Sequence, residues 1–274
     1  MIVLFERFRA ILRAEDPASW RKLGIAYGRS QCWQKALAAL DHALALAPHD
    51  SETLEAKGDI YIASGSPDLA SACYHDSARL DLRHCNPQRW NKLGIAYAKL
   101  GQRDDAIKAY RKALEYEPKN SAAWRNIITE FCHADSPRDI AAVCDEAIRH
   151  VPGDANIWYD FGCALEKLSD LKKAASAHAQ AWRLRPNFPG PWMHLIDVQV
   201  KLKKFDEAAA ICHEVAQFKR KDYGHALSQL CEHYIRAEHY AGAKEVIRTL
   251  SKIAPGSATK FRDLLAQRTA MTTR

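Results

Sequence analysis

The sequence predicts an all-α protein built as a solenoid of about seven antiparallel helix pairs and closed by a C-terminal capping helix. Three observations carry this. The segment Trp20-x-x-Leu23-Gly24-x-x-Tyr27 returns as Trp90-x-x-Leu93-Gly94-x-x-Tyr97. Behind the first come Ala36, Leu40, Ala43 and Pro48, and behind the second, at the same offsets, Ala106, Tyr110, Ala113 and Pro118. The apolar residues within each segment recur three or four apart, which places them on one stripe of a helix. A single helix pair cannot bury its own apolar face, so such units stack and share a continuous core.

Taken in order, residues 1–16 read as an amphipathic helix with Leu4, Phe5, Phe8, Ile11 and Leu12 on one side. Either it packs against the helix of Trp20, or it docks to a partner or membrane surface through Arg7, Arg9 and Arg13. The repeats then run over 17–50, 51–86, 87–120, 121–154, 155–188, 189–223 and 224–257, the second with two extra residues near Leu82 to Cys85. Tryptophan fills the fourth position as Trp20, Trp90, Trp124, Trp158 and Trp192. Glycine at the eighth and alanine at the twentieth (Ala36, Ala70, Ala106, Ala174, Ala208, Ala243) let the two helices of a unit approach closely. Pro48, Pro118, Pro152, Pro186 and Pro255 close the second helices, because proline cannot continue a helix. The sixth unit has Arg220 in place of that proline, and the seventh has Cys231 in place of the glycine. Residues 258–274 present Phe261, Leu264 and Leu265 opposite Lys260, Arg262 and Asp263, as a solubilising cap helix and tail require.

These positions together resemble the tetratricopeptide repeat from Pro17 to about Ser257. The resemblance implies a right-handed α-solenoid whose first helices line a concave groove through positions two, five, nine, twelve and thirteen. It implies a non-catalytic protein–protein interaction scaffold in which an extended or helical segment of another protein lies along that groove. At the thirteenth position stand Arg29, Ala63, Lys99, His133, Lys167, Lys201 and Arg236, a basic series with one gap. Residues 201–274 hold 14 Lys+Arg against 8 Asp+Glu, nearly all of the chain's formal net charge of +7, so an acidic partner segment is expected. Asn91, Arg125 and Tyr159, at the fifth position, add hydrogen-bonding and aromatic groups. Glu52, Glu55 and Asp59 share one helix face and form an acidic groove patch. Two readings of it stay open: a local ion-pair network with Arg21, Arg29 and Arg89, or a polarity that orients the partner. Chaperone-binding members of the family grip a terminal carboxylate. Here Lys92 and Asn126 match their pattern, but Ile95 and Asp160 do not, so that use is not expected.

Other function classes find little. No glycine-rich phosphate loop or nucleophile elbow occurs, so no enzyme is expected. No cofactor or metal is expected either, because two ligands on one helix converge only three or four residues apart. The pairs Cys73/His75, Cys132/His133, Cys212/His213 and Cys231/His233 are one or two apart. His178, Cys144 and Cys212 are read as core substitutions. The alternative from another class is a helical-repeat protein that binds single-stranded RNA along the basic series. The core placing of the tryptophans and the acidic patch argue against it. No segment reaches the roughly 18 apolar residues of a membrane span, and the eight scattered cysteines suit a reducing cytoplasm.

Overall fold

A computed structural model describes residues 15–80, 86–218 and 220–272. Among them are fifteen α-helices and no strand. The helix expected over 1–16 and the two-residue insertion near 82–85 lie essentially outside the described residues. The chain forms two compact units, Met1–Ala134 and Asp135–Arg274.

The first unit holds α1 (Pro17–Arg29), α2 (Trp33–Leu46), α3 (Ser51–Ser64), α4 (Pro67–Leu80), α5 (Pro87–Lys99), α6 (Arg103–Tyr116) and α7 (Ser121–His133). The pairs α1–α2, α3–α4 and α5–α6 are closely packed, α4 packs on α5, and α7 packs on α6. The second unit holds α8 (Pro137–His150), α9 (Ala155–Lys167), α10 (Leu171–Leu184), α11 (Pro189–Lys201), α12 (Phe205–Phe218), α13 (Arg220–Arg236), α14 (Tyr240–Ile253) and α15 (Pro255–Thr272). Within each unit, first helices of successive pairs also touch one another, α1 with α3 and α5 with α7, then α9 with α11 and α11 with α13. That contact sets the first-helix faces side by side as one wall.

The repeat positions explain why. Ala36, Ala70, Ala106, Ala174, Ala208 and Ala243 are all fully buried. Across from them the glycines seat the residue at position twenty-four: a Cβ on Gly24 would come within 2.6 Å of Leu40, on Gly58 within 2.6 Å of Tyr74, and on Gly94 within 2.4 Å of Tyr110. The turn inside each pair is equally regular. Gln31, Gly65, Gly101, Asp135, Ser169, Lys203 and Glu238 all have positive φ, and each falls at the fifteenth place counting from Pro17, Ser51, Pro87, Ser121, Ala155, Pro189 and Gly224. Only Gly65 and Gly101 adopt that left-handed conformation without a Cβ penalty. Before the first helices stand Asp16, Asn86, Asn120 and Asp154, whose side chains accept from backbone N–H groups of the first turn.

The tryptophans have a polar task as well as an apolar one. Trp124 Nε1 donates to the carbonyl of Pro118 at 2.8 Å, and Trp158 Nε1 to that of Pro152 at 2.8 Å. The proline that ends one helix thus leaves a carbonyl for the indole of the next unit to satisfy. Trp158→Phe is expected to keep the fold and lower stability by about 1 kcal/mol, read as a shift of the urea midpoint. No change would show that water replaces the indole at no cost.

The carboxyl-terminal end departs from expectation in its boundaries. α13 begins at Arg220, four residues ahead of the expected unit, in keeping with the lack of a proline there. α14 ends at Ile253, and Pro255 opens the cap helix instead of closing the pair. Proline suits a first helical turn, where its missing N–H would have no partner in any case. The cap packs on α13 and α14 through Ala258, Phe261 and Leu265.

Candidate functional site

In the first unit the wall of first helices carries paired acids and unpaired bases. Arg21, on α1, meets Asp50 and Glu52, each at 2.6 Å. Glu55, on α3, accepts from Arg89 Nε at 3.0 Å and from Lys92 Nζ at 2.7 Å, both on α5. Asp59 accepts from Lys92 Nζ at 2.8 Å and from the Tyr74 hydroxyl at 2.7 Å. Burial alone would raise the Glu55 pKa; the bonds and charges of Lys92 and Arg89 outweigh it and hold the carboxyl below its ordinary value. Glu52, Glu55 and Asp59 are therefore all engaged within the chain. Arg29 takes no part in this network; Lys92, which the sequence reading did not assign to it, is central.

The candidate groove bases behave differently. Arg29, Lys99, Arg125 and His133 are exposed, and among the described residues their side chains form no ion pair. Asn91 accepts from Asn126 Nδ2 at 3.0 Å, so its carbonyl is already occupied.

In the second unit each basic rung holds a carboxylate. Lys167 Nζ lies 2.5 Å from Asp135, Lys201 Nζ 3.2 Å from Glu166, and Arg236 2.5 Å from Glu232 one turn back. The charge of each of these rungs is thus met by a carboxylate of the chain itself.

The second unit also assembles a cluster of which the sequence reading singled out only Tyr159, His178 and Lys201. His178, on α10, lies over Gly162 as Tyr110 lies over Gly94; a Cβ on Gly162 would fall 2.5 Å from its Cε1. His194, on α11, stacks on His178 with ring centroids 5.1 Å apart. Glu166, on α9, meets His178 Nε2 at 2.9 Å and His194 Nδ1 at 2.8 Å with one oxygen, and Lys201 with the other. Tyr159 places its hydroxyl 3.2 Å from His194 Nε2 and its ring edge-on to His194 and Phe188. Burial would raise the Glu166 pKa, but the hydrogen bonds from His178, His194 and Lys201 hold it far below the carboxylate range. Cys163 completes the group: its sulfur and one nitrogen of each imidazole all lie within 4.8 Å of one another. This overturns the expectation that no metal-ligand side chains converge, which weighed neighbours on one helix and equal positions in different repeats. The convergence instead joins positions nine and twenty-four of one unit with position six of the next. Glu55–Lys92, Asn91–Asn126 and Tyr159–His194 all join position five to position six of the following unit. Laying the repeats out that way makes the contact readable.

A family model for the tetratricopeptide repeat matches residues 87–120. Protein bimA of Emericella nidulans is 29% identical over 106 residues, 39% of this chain and 13% of its own length. Superkiller complex protein 3 of Homo sapiens is 30% identical over 115 residues, 37% of this chain and 7% of its own length. The chain spans less than a quarter of the length of the curated relatives it matches. Among solved structures, the C-terminal part of a TPR repeat-containing protein from Cytophaga hutchinsonii aligns with a TM-score of 0.68 at 14% identity, covering 88% of this chain and 98% of that one. YrrB, described as a TPR protein with an unusual peptide-binding site, aligns with a TM-score of 0.53 at 17% identity, covering 68% of this chain and 95% of that one.

Proposed function

Taking the chain as a stack of tetratricopeptide repeats, we propose that it is a non-catalytic scaffold that holds a segment of another protein along its first-helix wall. The observation that carries this reading is the set Arg29, Lys99, Arg125 and His133, exposed on first helices of one unit and, among the described residues, committed to no carboxylate. The charges of Arg29, Lys99 and Arg125 are available to an acidic partner segment, and they give it register and orientation more than raw affinity. The internal pairing of Glu52, Glu55 and Asp59 supports the same reading, because it removes most of the repulsion such a segment would meet. Paired rungs at Lys167, Lys201 and Arg236 offer less, since a partner there must displace a carboxylate of the chain itself. Among the described residues no helix is long and apolar enough to cross a membrane. Free cysteines, Cys32 and Cys132 among them exposed, suit a reducing cytoplasmic setting.

The test compares immobilised wild type with the Lys99→Glu, Arg125→Glu double variant and with Lys119→Glu as an exposed control outside the wall. A protein captured from native lysate, or an acidic peptide from an array, is expected to bind wild type and the control alike and the double variant at least tenfold more weakly. Equal retention by all three removes the wall from the mechanism. Tight single-stranded RNA binding that falls steeply with salt would transfer the reading to nucleic acid.

A further inference from the structure

The Cys163 cluster has no task in the scaffold reading and stands independently of it. Its protonation pattern is set by Glu166. An ionised carboxylate only accepts, so His178 Nε2 at 2.9 Å and His194 Nδ1 at 2.8 Å both carry hydrogens. In the neutral rings the remaining nitrogens, His178 Nδ1 and His194 Nε2, are then lone pairs. Tyr159 donates to His194 Nε2 at 3.2 Å. His178 Nδ1 has no hydrogen-bond partner, on a side chain that is fully buried. A buried polar atom left without a partner is costly, and the few that persist call for a reason. An imidazole whose N–H is held by a carboxylate while its other nitrogen is bare has the form of a metal ligand with its outer partner in place.

We propose that Cys163, His178 and His194 bind one zinc(II) ion, with Glu166 as the positioning residue that fixes both imidazole tautomers. The donor set, one sulfur and two nitrogens, excludes calcium and magnesium and suits a borderline-soft cation. Zn–S bonds of about 2.3 Å and Zn–N bonds of about 2.0–2.1 Å put neighbouring ligand atoms on the order of 3.5 Å apart. The Cys163 sulfur and one nitrogen of each imidazole already lie within 4.8 Å of one another, against about 3.5 Å in a closed site. On binding, the Cys163 thiol loses its proton to solvent, one Zn–S and two Zn–N bonds form, and nothing is oxidised or reduced. The Tyr159 hydroxyl gives up its bonds to His194 and Cys163. Three protein ligands leave a fourth position for water or for a donor from a bound partner. The ion would tie α9 and α10 to α11, joining two successive pairs.

The test titrates the reduced, metal-free full chain with Co²⁺ as a spectroscopic stand-in for Zn²⁺. The expected result is a thiolate-to-cobalt charge-transfer band saturating at one equivalent and bleached by added Zn²⁺. Cys163→Ser abolishes the band, and His194→Ala, at a half-buried position, weakens binding at least tenfold. Glu166→Gln weakens it by about 10- to 100-fold while leaving the band's shape. Circular dichroism checks folding, and His194→Ala carries the test alone if Cys163→Ser does not fold. No band in the wild type, or a band of equal size in Cys163→Ser or, in that case, unweakened binding by His194→Ala, overturns the site and assigns any binding to the other thiols.

Discussion

Glu55→Ala is expected to lower the stability of the first unit by about 3 kcal/mol, the cost of taking the carboxylate from a buried guanidinium. The side chain of Arg89 is only 6% exposed, and its Nε points at Glu55 Oε2. Water cannot readily take that place. Asp59 makes the contrasting case: it is 48% exposed, and its pair with Lys92 lies in solvent reach, so Asp59→Asn, which keeps an acceptor for the Tyr74 hydroxyl, is expected to cost under about 1 kcal/mol. Replacing both partners, Arg89→Met with Glu55→Leu, should recover most of the loss, since the penalty lies in the stranded charge. The pH dependence has a definite sign. The folded pKa of Glu55 is depressed, so its contribution is complete above the ordinary glutamate value of about 4.3 and is lost as pH falls through the folded value. Urea midpoints for wild type should therefore drop between pH 5 and pH 3 more than those for Glu55→Gln. A Glu55→Ala cost below 1 kcal/mol, or identical acid slopes, would show that Arg89 is held by its other contacts.

This network also shows what the sequence discloses and what it hides. Glu52, Glu55 and Asp59 could be placed on one face from spacing alone, because helix geometry decides it. Arg21 and Arg89 followed from register. Lys92 did not, because its role depends on position six of one helix reaching position five of the helix before it, a contact between units and not within one. The same rule hid Cys163, His178 and His194: no two of them share a helix, and each alone looks like a core or surface residue. The close-packed positions were plain for the opposite reason. Glycine facing a bulky residue, and alanine buried at the twentieth position, leave no alternative that keeps the helices together. Caps and cap-helix bounds fell between: Asp16, Asn86, Asn120 and Asp154 are ordinary N-caps in hindsight, while Pro255 carries the same letter as Pro48 yet opens a helix.

The sharpest test of close packing is Gly94→Ala, expected to destabilise by about 2 kcal/mol although alanine is the better helix former by about 1 kcal/mol. The two effects have opposite signs, so the direction of the result decides which governs the position. A Cβ there would lie 2.4 Å from Tyr110 Cε1 and 2.5 Å from Cδ1, with the ring only 2% exposed and the neighbouring Ala106 fully buried. The ring has nowhere to turn, so α5 and α6 must separate and lose contact along their length. Tyr110→Leu in the same chain should relieve the clash, giving a positive coupling in a double-mutant cycle measured by urea unfolding. Gly153, with nothing within 4 Å of its would-be Cβ, is the control: Gly153→Ala is expected to change stability by no more than about 0.5 kcal/mol. Because stacked pairs lean chiefly on their neighbours, hydrogen exchange should accelerate first in α5, α6 and the helices touching them. A gain in stability from Gly94→Ala would mean that the helices are spaced by something other than the glycine, and the repeat's most regular contact would then need another cause.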